Sequence, residues 1–274
     1  MSDHPRLTDR AALLRNRARA CRTDPALFLQ EAARDDVQDR LAMVNRRFTA
    51  PAVVTGFPQL WQDALPGARI VPDDAVLDLE AGVHDLVIHA LALHWADDPV
   101  GQLIQCRHAL KPDGLMLAAT FGGQTLHELR AALASAEAEV TGGLSPRILP
   151  MGEIRDLGAL LQRAGFALPV ADGLPLTASY QSALHLMRDL RAMGEGNALS
   201  TRLKQTSPRA LFARTEAIYR EHFATKDDRL PATFELVCLT GWSPSDSQQQ
   251  PLRPGSAKMR LAEALKVPET KLPD

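Results

Sequence analysis

The chain has 274 residues, 45% of them apolar, enough to bury a full core in one large domain or in a domain with an appended layer. A formal charge of −2 creates no long-range field toward polyanions, so no nucleic-acid partner is expected. Cys21, Cys106 and Cys238 are odd in number and outside any CxxC spacing, which argues against a disulfide framework and a zinc site. No run approaches the roughly 18 to 20 apolar residues of a membrane span, and residues 1–10 lack an apolar signal core, so the chain is placed in the cytoplasm.

The first 50 residues read as a helical arm. Arg6, Arg10, Arg15, Arg17, Arg19 and Arg22 face only Asp3 and Asp9. They suit an Arg-rich transit peptide, an arm that grips an acidic partner, or a surface helix capped by Thr8 or Asp9 with Leu13, Leu14 and Ala18 inward and the arginines solvated. Asp24-Pro25 supplies a cap and first-turn proline for a second helix over 25–44. Ala52 to Thr55, ended by Gly56, reads as a buried strand; Phe57 to Leu65 is a brief helix; Arg69 to Asp73 is a short strand that Pro72 confines to an end or an edge.

Leu86 to Leu93 is apolar on both faces, as in a central strand covered by helices on each side. A helix from Pro99 to Leu110, a turn at Lys111-Pro-Asp-Gly114 and a strand from Leu115 to Ala119 follow. Thr125 to Val140 and Ile154 to Arg163 read as helices, Phe166 to Val170 as a strand, Tyr180 to Met193 as a helix, and Phe234 to Thr240 as a β-rich run. This alternation indicates an α/β sheet covered on both faces. The expected organisation is an arm over 1–50, an α/β domain over 51–265 with a helical insertion at about 180–230, and a tail over 266–274.

Asp85-Leu-Val-Ile, Leu91-Ala-Leu-His-Trp95, Leu110-Lys-Pro-Asp-Gly114 and Phe121-Gly-Gly-Gln-Thr-Leu126 resemble the class I S-adenosyl-L-methionine-dependent methyltransferases. The branch they resemble holds the malonyl carrier-protein methyltransferase of biotin synthesis and the methyltransferase-like assembly factor of respiratory complex I. Gly142 to Arg147, Asp156 to Phe166, Asp189 to Glu195, Gly241-Trp242 and Pro254 to Ala257 look like the assembly factor in particular. The resemblance covers about residues 35–265 and implies a Rossmann-like sheet with N-terminal helices and a helical lid.

The family opens with a Gly-x-Gly-x-Gly loop, whose bare backbone N–H groups approach the cofactor. Here the equivalent place reads Val53-Val-Thr-Gly56-Phe-Pro-Gln-Leu-Trp61; Pro58 has no N–H, and Phe57 and Trp61 add bulk. Two crossovers before the central strand need about 60 residues, yet Val53 to Leu86 spans 34 positions, so one strand and one helix are expected to be missing. With them goes the family's ribose-gripping acid. Asp73 and Asp74 match the later acidic position that faces adenine.

The resemblance makes His94 and Trp95 a site wall, with His94 a candidate general base and Trp95 a positioning surface, or else both brace the following turn. Phe121, Gly122 and Gly123 follow another strand end and suit close approach of a substrate or a tight turn. Arg147, stiffened between Pro146 and Pro150, could fork onto an anionic group or make a structural salt bridge. Tyr180 stands near the lid helix as a substrate contact. The remaining histidines lack metal-ligand spacing.

Three functions follow. The first is a pseudoenzyme: a methyltransferase-like protein with impaired cofactor binding that holds a protein client such as a respiratory subunit. The second is an active methyltransferase with an atypical S-adenosyl-L-methionine site. The third, implied by the resemblance alone, is arginine hydroxylation, ranked last because no His-x-Asp set for iron is present.

Overall fold

The computed structural model describes residues 6–22 and 24–248, with Met259, Glu263 and Lys266 beyond them. The Pro254–Ala257 segment and residues 267–274 of the expected tail lie outside the described residues. Residues through Pro244 belong to one compact unit, which contains the helical arm, and Ser245–Asp274 to a second.

The arm supplies α1 (Arg10–Arg22) and α2 (Phe28–Met43). Asp9 caps α1 by accepting from the Ala12 N–H at 3.0 Å. Ala12, Leu13, Arg17 and Ala20 form its buried face, whereas Leu14 and Ala18 are exposed. The expectation of wholly solvated arginines is therefore corrected at Arg17. The second helix begins at Phe28 rather than Pro25, because Ala26 spends its N–H on the Ala192 carbonyl, 3.2 Å away.

Next come β1 (Pro51–Thr55), α3 (Pro58–Gln62), β2 (Arg69–Val71) and β3 (His84–Ala90). They are followed by α4 (Pro99–Ala109), β4 (Leu110–Phe121), α5 (His127–Thr141), α6 (Ile154–Arg163), β5 (Ala167–Tyr180), α7 (Ala183–Ala192), α8 (Arg209–Phe223) and β6 (Leu230–Trp242). The sheet runs β2-β1-β3-β4-β6-β5, parallel through β4 and antiparallel in its last two pairings. Residues 72–83 between β2 and β3 hold neither helix nor strand. The shortage counted in the sequence thus falls on one strand and one crossover helix at the β2 edge.

Strand alternation sorts the core. Leu86 and Ile88 of β3, with Leu115 and Leu117 of β4, pack toward α2 and Trp61, whereas Val87, Met116 and Ala118 pack toward Leu103, Cys106 and Leu161 of α4 and α6. Both faces are covered, as continuous apolar strands require. A third cluster joins α5, α7 and α8 to Phe121, Phe234 and Leu236 at the carboxyl end of β4 and the start of β6.

The β5–β6 hairpin is far longer than the short runs expected. Gly173 and Pro175 read as breakers, but β5 is the sheet edge, where a proline costs no ladder partner on the outer side. Tyr180 consequently ends β5, and α7 starts after Ser182, whose side chain accepts from the His185 N–H.

Asp85 fastens the lead-in of β1 to β3: its carboxylate accepts from the Thr49 N–H (2.6 Å), the Thr49 hydroxyl (2.8 Å) and the Ala50 N–H (2.9 Å). Asp85→Ala strands these donors and should cost about 2 kcal/mol. Urea unfolding should show this as a lower midpoint with unchanged slope; an unchanged midpoint would show the clasp to be idle.

Candidate functional site

Open α/β sheets place ligands at strand carboxyl ends, and here Gly56 follows β1 and Asp73 follows β2 at that edge. The space above them is filled by α1. Arg17 points its guanidinium at Asp73, with Nη1 donating to both carboxylate oxygens at 2.8 and 2.9 Å. Arg10 adds Nη1 to Oδ2 at 3.0 Å and Nη2 to Oδ1 at 2.9 Å, and also reaches Asp74 at 3.1 Å. Asp73 and Arg17 are almost wholly buried, Asp74 is exposed.

The arginine also covers the glycine. A β-carbon at Gly56 would collide with the Arg17 guanidinium, and one at Gly194 would press on the Arg17 main chain. The guanidinium lies 5.8 Å from the Phe57 ring centre. Burial alone would raise the Asp73 carboxyl, but the Arg10 hydrogen bond and the charges of Arg17 and Arg10 outweigh it and hold the group far below the usual carboxylate range. The resemblance implies that S-adenosyl-L-methionine would approach bare backbone at Gly56, and the residues present do not fit that demand: the glycine is roofed by Arg17, Pro58 has no N–H, and the Asp73 carboxylate is already engaged by Arg17 and Arg10.

β3 ends at Ala90, and His94 and Trp95 lie beyond it in a single 3-10 turn, Leu93–Trp95. The Trp95 indole N–H donates to Glu195 Oε2 at 2.6 Å, and His94 Nε2 stands 3.4 Å from the same oxygen. Among the described residues, Glu195 Oε1 and His94 Nδ1 are buried without hydrogen-bond partners. Burial opposes the Glu195 charge, yet the His94 hydrogen bond and the charges of His94 and Arg17 keep its carboxyl below the usual range. His94 packs 4.8 Å from Phe121, centre to centre.

Phe121 and Met151 stand between two cavities, one of about 390 Å³ under α5 and α7 and one of about 290 Å³ beside His94. Gly122 and Gly123 admit the chain's own carboxylates, Glu235 against the first and Glu153 against the second. Arg147 borders the larger cavity, but its charge is engaged: Nη2 donates to Glu137 Oε1 at 2.6 Å and Nη1 to Ser207 Oγ at 3.1 Å. The Arg147 hydrogen bond leads in pulling the Glu137 carboxyl down to about 2. Tyr180 is buried in the core cluster, outside the cavity wall, where burial first and the nearby Asp189 carboxylate second push its hydroxyl well up. The structure thus gathers Gly56, Asp73, His94, Trp95 and Phe121 at one edge and leaves Tyr180 apart.

No family model matches the chain. Among curated proteins, it is 35% identical over 248 residues to the zebrafish (Danio rerio) protein named "Arginine-hydroxylase NDUFAF5, mitochondrial", covering 90% of this chain and 77% of that one. The chain belongs to the NDUFAF5 family. The human member is 35% identical over 224 residues, 82% of this chain and 65% of that protein. A malonyl-[acyl-carrier protein] O-methyltransferase of Laribacter hongkongensis is 35% identical over 188 residues, 69% of this chain and 61% of that one. NDUFAF5 relatives from zebrafish, mouse and human bear the word mitochondrial in their names, which overturns the cytoplasmic placement. Among the described residues, no helix is long and apolar enough to cross a membrane, and no three acidic, histidine or cysteine side chains cluster as a metal site.

Sequence reasoning named Arg17 on the arm and Glu195 near the lid helix but gave neither a place in the site. The signal for the first was its spacing: Arg10, Leu13, Arg17 and Ala20 share one stripe of α1, so an arginine stands where apolar residues face the body. Glu195 gave no local sign, being 100 residues from Trp95.

A depressed folded-state value means that Asp73 contributes stability that is complete above about pH 4 and fades as pH falls through the folded value. Arg17→Ala should cost about 3–5 kcal/mol at neutral pH, because it strips a buried carboxylate of its innermost partner. Asp73→Asn should be destabilised at neutral pH and lose less further stability on acidification than the parent. Urea melts across that range read both; parallel acid slopes would refute the assignment.

Proposed function

We propose that this NDUFAF5-family chain is an assembly factor for a respiratory complex that holds a protein client and does not hold S-adenosyl-L-methionine. The observation that carries the reading is the Arg17 guanidinium, seated over Gly56 and joined to Asp73 where the methyltransferase family receives its cofactor. Loss of one strand and one crossover helix at the same edge supports it, since the family's ribose-binding acid belongs to the missing piece. The client surface is the carboxyl-end face, where α1, α7 and the turn at His94 and Trp95 meet around the larger cavity.

Calorimetric titration with S-adenosyl-L-methionine and with S-adenosylhomocysteine tests the cofactor half. The expected result is no saturable binding tighter than about 1 mM, a free energy of about −4 kcal/mol. Micromolar binding of either would restore the active methyltransferase. Co-purification with subunits of the respiratory complex, and failure of that complex to mature in a deletion strain, test the client half.

The relatives' printed name favours a second reading, hydroxylation of a client arginine. Mass spectrometry of client arginines from wild-type and deletion strains separates the two: an oxygen added only in the wild type establishes the reaction, and identical masses leave client holding alone.

A further inference from the structure

The larger cavity has a composition that client holding does not explain. Leu29, Leu126, Leu129, Leu133 and Phe234 make an apolar interior of about 390 Å³. Its only lining carboxylate among the described residues, Glu195, is turned to the Trp95 N–H and to His94. Its rim carries Arg19 and Arg191, exposed side chains without any salt bridge among the described residues; Arg19 makes one hydrogen bond, to Asn16 Oδ1 at 3.1 Å. The third lining arginine, Arg147, is neutralised by Glu137. An apolar chamber therefore opens beside two uncommitted positive charges.

Size decides between occupants. The volume lies within the usual range of small-ligand sites, about 300–1,000 Å³. We propose that this cavity binds a free aliphatic carboxylate of medium chain length, its alkyl chain among the leucines and Phe234 and its carboxylate forked by Arg19 and Arg191 at the mouth. The chain is held by removal of apolar surface from water, and the head group supplies orientation, since exposed ion pairs add little each. The assignment stands whether or not a nucleotide binds elsewhere.

Calorimetry of the full chain with decanoate, decan-1-ol and decylammonium tests it. Decanoate should bind about five- to tenfold more tightly than the alcohol, and the ammonium more weakly than either. Arg19→Ala combined with Arg191→Ala alters only exposed side chains and so keeps the fold; it should erase the preference for decanoate while leaving decan-1-ol unchanged. Leu133→Trp, filling the chamber, should abolish binding of both, with its melting curve recording that it folds. Equal binding of all three ligands, absence of decanoate binding, or equal losses for decanoate and alcohol in the double variant would overturn the proposal. Sedimentation of the chain with phosphatidylglycerol vesicles and no binding of free decanoate would also overturn it, showing the basic rim to be a membrane contact.

Discussion

One ion pair organises the carboxyl end of this sheet. A guanidinium and a carboxylate that are both shut away from water depend on each other: the Asp73 oxygens are met by Arg17 Nη1 and by Arg10, while Arg17 Nε and Nη2 stay buried without a hydrogen-bond partner among the described residues, so Asp73 is the anion that keeps this charge in place. The pair joins the arm to β2 across the end of β1. It therefore fixes where α1 lies, and through α1 the position of Gly194 and the segment that carries Glu195. The geometry above Gly56 is a consequence of this pair rather than of the β1 loop alone.

Chemistry at the site follows from the same arrangement. Glu195 reaches Trp95 and His94 because the chain after α7 is pressed against α1, where Gly194, at φ +78°, leaves no side chain to collide with Arg17. Three segments far apart in sequence thus share one buried polar cluster, with the positive charge of Arg17 set against the carboxylates of Asp73 and Glu195. The apolar chamber under α5 and α7 begins where that cluster ends. A wall of leucine and phenylalanine beside this buried polar cluster divides the face into a polar half and an apolar half.

Much of this fold was legible before any coordinates. The runs at Leu86 and Leu115 announce buried parallel strands because both faces are apolar, and counting residues from Val53 to Leu86 exposes the missing strand and helix. The hairpin was half hidden, since Gly173 and Pro175 break a pattern that only an edge position excuses. At the candidate site, Gly56 and Asp73 were named from the family resemblance, and His94 and Trp95 from their place at the carboxyl end of a strand, which is a local property. Their partners were not, because the pairings of Arg17 with Asp73 and Glu195 with Trp95 span 56 and 100 residues and no short-range pattern encodes them. Placing the arginines of the arm in solvent failed at the residue whose helical stripe already pointed inward.

The outer margin of β5 has a bearing on self-association. Leu168, Val170 and Leu174 leave apolar side chains in water along a 14-residue border, a combination that invites another strand to add on. Pro169 and Pro175 interrupt that border, each removing an amide donor that an incoming chain would require. Leu168, at φ +50°, bends the backbone out of strand geometry beside the first of them. The same prolines that disguise the strand in the sequence thus act as guards against fibrillar growth, keeping a greasy rim from becoming a template.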